Sequence, residues 1–104
     1  MPGSDEKPWT FVTNHTRVLI AISHNPDIRV REIAGIAGIT ERSAQRIVAD
    51  LEEEAYLTHE KIGRRNHHHV KPTAAMRHPL EQDVEVGLLI ELLSGVADSH
   101  QTTA

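Results

Sequence analysis

Four polar side chains crowd one short stretch of the chain: Arg42, Ser43, Gln45 and Arg46. Their chemistry suits the reading of base edges better than the making of bonds. An arginine fork pairs with two acceptors of guanine, a glutamine amide pairs with adenine, and a serine hydroxyl bonds a base or a phosphate. Thr40, just ahead of them, is a helix-capping residue type, and its hydroxyl with the nearby backbone N–H groups would receive a phosphate. A second polar set follows in Lys61, Arg64, Arg65, Asn66 and His67, with Lys71 beyond it. Guanidinium groups on a projecting arm enter a minor groove or clamp phosphates. Contacts of that kind set affinity more than sequence choice.

The run His67-His68-His69 raises a different chemistry. Consecutive strand residues point to opposite faces, so only His67 and His69 share a side. With a turn centred on Arg64-Arg65, His69 falls opposite Glu60 and His67 opposite Ile62. His67, His69 and Glu60 would then suit zinc or nickel. They do not make a closed four-ligand set, and added charge for nucleic acid is the simpler role. No metal or other cofactor is therefore expected. Serine, histidine and acid are all present, but no nucleophile elbow, phosphate loop, HExxH motif or carboxylate pair frames them. No catalytic residue is assigned and no enzyme is expected; His15, His24, His78 and His100 read as surface or capping groups.

The 104 residues make one small domain with a tail. The absence of cysteine excludes disulfides and thiolate sites. Trp9, Phe11 and Tyr56 are the only aromatics, too few for a sheet that stacks bases. The longest apolar run, Leu88-Leu89-Ile90, falls far short of the roughly 20 residues a bilayer demands. The first residues lack the basic and then apolar pattern of a leader, so a cytoplasmic protein without a membrane partner is expected. The net charge of −4 weighs against a nucleic-acid partner, but its distribution is uneven. Residues 29–71 hold eight basic groups against seven acidic ones, while residues 80–104 hold five acidic groups and no Lys or Arg. Protonating all eight histidines would carry the balance from −4 to +4, so behaviour should change between about pH 8 and pH 6.

These side chains need elements to position them. Residues 1–12 read as an arm, with Trp9 and Phe11 on one side of an extended segment that is pinned to something. Thr13 or Asn14 caps a helix over His15–Ser23, which Asn25-Pro26-Asp27 ends because proline excludes its predecessor from helical geometry. Val30, Ile33, Ala34 and Ala37 then give a short helix ending near Gly38. Thr40 caps a longer one that turns Ala44, Ile47, Val48 and Leu51 inward and stops near Ala55. Arg42, Ser43, Gln45, Arg46 and Ala49 are left outward. A rival for this face is ordinary solvation, with Arg42 and Arg46 paired to Glu41 or Asp50. Tyr56–Ile62 and His67–Lys71 alternate around a Gly63–Asn66 turn, the pattern of a hairpin. Pro79 opens a last helix to about Ser94, with Gly95 as its cap. The divisions are an arm at 1–12, a domain at 13–78, a helix at 79–95 and a flexible tail at 96–104.

Gly38 follows Ala34 by four positions, Ala44 follows it by ten, and Ile47 comes three later. A small residue lets two helices touch, and a glycine supplies the positive φ of a tight corner. With LEEEAYL closing the long helix and GRRN at the hairpin tip, the chain resembles winged helix-turn-helix regulators of the MarR and ArsR type over roughly residues 14–94. The resemblance implies a mainly α fold with a small β-hairpin: a three-helix core, a wing and a C-terminal dimerisation helix. It also implies double-stranded DNA binding by a homodimer, with the long helix in the major groove.

The last helix is too apolar to stand alone. Leu80, Val84, Leu88 and Leu92 recur every four residues, and Val86, Leu89, Ile90 and Leu93 widen the stripe. Pairing with a second copy through Leu80, Val84, Leu88, Leu89, Leu92 and Leu93 would bury it, at roughly 1.5–3 kcal/mol for each fully buried Leu. The expectation is a sequence-specific transcriptional regulator. The alternatives are a winged-helix protein-interaction module, which the acidic balance favours, and a regulator responsive to a metal or small ligand.

Overall fold

The computed structural model describes residues 9–103, with side chains described as far as Ser94. Among the described residues three helices come first: α1 (Asn14–His24), α2 (Val30–Ala37) and α3 (Glu41–Glu53). An antiparallel hairpin of β1 (Leu57–Ile62) and β2 (Arg65–Val70) follows, and α4 (Val86–Thr103) closes the chain. This is the winged-helix architecture that the sequence implies.

The corner between α2 and α3 forms for the expected reason. Gly38 sits at φ 73, a left-handed conformation that costs a residue with a Cβ about 1–2 kcal/mol. The N–H groups of Gly38 and Ile39 both return to the Ala34 carbonyl, at 2.9 and 3.0 Å. Ala34 and Ala44 are both buried, so the two helices nest on small side chains. Ile33, Ile47 and Leu51 fill the wedge against Val18, Leu19 and Ile22 of α1. The far end of α3 closes in a Schellman arrangement: Tyr56 N–H reaches the Leu51 carbonyl at 2.9 Å and Ala55 N–H reaches Glu52 at 3.0 Å. Ala55 occupies the left-handed position, φ 66, where glycine is the usual choice.

The hairpin turn is tighter than expected. Gly63, at φ 65, and Arg64 alone connect the strands, so Arg65 and Asn66 belong to β2. A glycine leading a two-residue turn matches the twist of the flanking strands. The register therefore moves by two residues: His67 faces Glu60, His69 faces Thr58, and His68 faces His59. His69 and His67 therefore do not stand directly opposite Glu60 and Ile62, although the His69 side chain still reaches Glu60 across the diagonal. Leu57 and Val70 meet at the base, and Leu57 is fully buried.

The last helix also departs from expectation. Residues 74–76 run back against 84–86 through an Ala75–Glu85 bridge, with Met76 N–H on the Val84 carbonyl and Val86 N–H on that of Ala74. Val84 and Glu85 are thereby committed to extended pairing, so the helix starts at Val86 and not at Pro79. Leu80 and Val84 lie before the helix, and the four-residue stripe that included them is not a helical face. Gly95 does not cap it; the helix continues through Thr103, across the segment expected to be a tail. Val86 and Ile90 turn into the core. Gly87 is required at its place, since a Cβ there would lie 2.6 Å from Pro72 Cβ and 2.7 Å from Pro72 O. Of the arm, Trp9 and Phe11 meet edge to face at 5.3 Å, and Phe11 is 94% exposed; neither ring joins the core.

Candidate nucleic-acid interface

The start of α3 is built by its cap. Thr40 Oγ1 accepts the Ser43 N–H at 3.0 Å, and the Thr40 hydroxyl donates to Ser43 Oγ at 3.0 Å. That commits the threonine hydroxyl to the cap and leaves the first backbone N–H groups of α3 for an anion. With Ala44, Ile47 and Leu51 buried, Arg42, Ser43, Gln45, Arg46 and Ala49 all face outward and are exposed.

What the nearby carboxylates do decides the character of this face. Asp50 is held by His15 at 2.9 Å, Asp27 by His67 at 2.6 Å, Glu60 by His69 at 2.8 Å, and Glu52 by His59. Arg77 contacts Glu54 at 3.7 Å. Among the described residues, Arg42, Arg46, Lys61, Arg64 and Arg65 are in no ion pair. The pairing of Arg46 or Arg42 with Asp50 or Glu41 that a merely solvated face would show is not formed. Histidines hold these four acids while Glu41, beside Arg42, is in no ion pair among the described residues, and the guanidinium groups stay available.

The wing carries its cations outward. Two six-residue strands reach about 20 Å at about 3.3 Å per residue. Arg64 stands in the turn and Arg65 at the start of β2, both exposed. Lys61 and Asn66 face each other and share the side of the sheet that holds His59 and His68. Arg65, His67 and His69 take the opposite side. The Asp27 carboxylate on His67 Nδ1 competes there with any phosphate.

The set of His67, His69 and Glu60 does not converge: His67 turns to Asp27, and His69 reaches Glu60 diagonally. Another set does. One donor atom each of Glu52, His59 and His68 lie within 4.8 Å of one another. His68 is 5% exposed, and its Nδ1 faces the Pro26 carbonyl at 3.3 Å. Burial pushes the His68 imidazole below its usual range, against the opposing pull of that carbonyl and of Glu52. The sequence does contain the signal for this set. A turn at Gly63-Arg64 makes His59 and His68 cross-strand partners.

Residues 11–65 match the MarR family, a span that runs from before α1 through the wing tip and holds every α3 residue discussed above. The chain belongs to the MarR family. The MarR family is one of winged-helix transcription regulators. The match stops short of most of β2 and of α4. The chain is also 34% identical over 59 residues to the uncharacterized protein MJ1254 of Methanocaldococcus jannaschii, covering 56% of this MarR chain and 13% of that protein. No solved structure matches. Among the described residues, no helix is long and apolar enough to cross a membrane.

Proposed function

We propose that this MarR protein binds specific double-stranded DNA sequences as a homodimer. The α3 face enters the major groove, where Arg42, Gln45 and Arg46 contact base edges. Ser43 and the free N–H groups beyond Thr40 take a phosphate. Arg64 and Arg65 hold the adjacent backbone or minor groove, with Lys61 and Asn66 supporting from the inner side of the wing. One observation carries this assignment: among the described residues the arginines of α3 and of the wing are exposed and in no ion pair, while Asp50, Asp27, Glu60 and Glu52 are each held by a histidine.

The dimer is supported by α4, which turns Val86 and Ile90 inward and leaves Leu88 61% and Leu92 64% exposed, with Leu93 beside them. Leu89 is half-buried, and the exposed Leu80 and Val84 flank the helix from the preceding loop. Two-fold pairing through this surface places two α3 helices one DNA turn apart. A pocket of about 420 Å³, lined by Leu19, Tyr56, Met76 and Ile90 together with His15, Asp50, Glu53 and Arg77, favours control by a small ligand.

Fluorescence anisotropy with duplex DNA at about 50 mM salt tests the reading, with light scattering for mass. Binding that weakens steeply as salt rises is expected. A folded sample that ignores duplex DNA at that salt would favour the protein-interaction alternative.

A further inference from the structure

We propose that Glu52, His59 and His68 form a zinc-type metal site that ties the wing to the end of α3. Each residue comes from a different element: Glu52 from the last turn of α3, His59 from β1 and His68 from β2. Two imidazoles and a carboxylate are a donor set suited to zinc, with one position left for water. Tetrahedral zinc, with bonds of about 2.0–2.1 Å, places its donors roughly 3.3–3.4 Å apart. Donors already within 4.8 Å reach that spacing by small side-chain rotations.

The surroundings favour a cation here. Nδ1 of His68 is turned to the Pro26 carbonyl, which leaves Nε2 as the ligating nitrogen. A backbone carbonyl on the far nitrogen is the outer-shell contact that fixes the tautomer of metal-bound histidine and strengthens it as a ligand. His59 Nδ1 and the Glu52 carboxylate are hydrogen-bonded to each other. A metal ion bound between them takes the place of that hydrogen bond. The C-terminal end of a helix carries partial negative charge, and Glu53 and Glu54 add to it along the chain. The site is open on one side, where the His59 side chain is 40% exposed.

Binding of the metal stands apart from DNA recognition; its consequence rests on the DNA-binding role. A bridge from α3 to both strands fixes the wing arginines relative to Arg42 and Arg46. Metal occupancy then sets how well the two contact regions fit one duplex.

The test uses tag-free, metal-free full-length protein, titrated with zinc against a chromophoric chelator. Cobalt(II) absorption reports the geometry. One equivalent of zinc and an intense four-coordinate cobalt spectrum are expected. His59→Ala and Glu52→Gln, both on the open side of the site, should each weaken zinc binding at least tenfold. The His67→Ala, His69→Ala double variant should bind within about twofold of the parent. No stoichiometric binding by folded parent protein overturns the proposal, as does binding that survives His59→Ala or disappears in the double variant. Zinc binding with the expected losses upholds the site even if duplex DNA is ignored, an outcome that counts only against the DNA-binding role.

Discussion

Replacing Arg64 and Arg65 together by alanine should flatten the salt dependence of DNA binding without changing which sequence is preferred. Both side chains are exposed, in no ion pair and at the far end of the hairpin, so their removal leaves the core intact. Each phosphate neutralised contributes about 0.9 to the slope of log affinity against log salt, so two contacts contribute about 1.8. Between 50 and 200 mM salt, a fourfold change, that difference amounts to about a twelvefold change in the ratio of parent to variant affinity. The variant should therefore lose most at low salt, equally on a preferred and on a random duplex. Anisotropy titrations at four or five salt concentrations measure this directly. Arg46→Ala is the internal contrast: loss of a bidentate base contact costs about 1–3 kcal/mol on the preferred duplex and little on a random one. An unchanged slope in the wing variant would refute the phosphate role. Equal losses on both duplexes in Arg46→Ala would refute base reading by that residue.

Other substitutions test the scaffold. Ala55→Gly should stabilise the protein by about 1 kcal/mol, because glycine relieves the left-handed backbone at φ 66; thermal melting should rise by several degrees. Gly87→Ala should destabilise by about 1–3 kcal/mol through the clash with Pro72, whereas Gly35→Ala, in open space on α2, should gain up to about 1 kcal/mol. Leu88→Asp with Leu92→Asp should give monomers by light scattering at a concentration where the parent is dimeric, with the far-ultraviolet circular dichroism of the fold retained.

The parts of this fold that are visible in the sequence are the ones specified locally. Gly38 needs its positive φ whatever else the chain does, Thr40 caps the helix it precedes, and Ala44, Ile47 and Leu51 recur at the helical period. That periodicity alone is enough to turn Arg42, Gln45 and Arg46 outward. The hairpin turn is less determined, because Gly63, Arg64, Arg65 and Asn66 are all acceptable turn residues. Its register is fixed at a distance, by Leu57 and Val70 meeting at the base of the sheet. A two-residue shift keeps every side chain on its face but changes every partner, which conceals His59 and His68 as neighbours and makes His67, His69 and Glu60 look like a set. Pro79 has the composition of a helix start, but the bridge between Ala75 and Glu85 overrides it. Pairing between segments ten residues apart leaves no periodic trace in the sequence.

Selection of preferred sites from a pool of random duplexes addresses the DNA-binding role most directly, since it asks at once whether bases are read and whether two subunits read them together. The expected product is a palindrome whose half-sites are centred about 10–10.5 base pairs apart, or a multiple of that spacing. Folded protein that enriches no sequence, or only an unpaired half-site, would contradict recognition by a homodimer through α3.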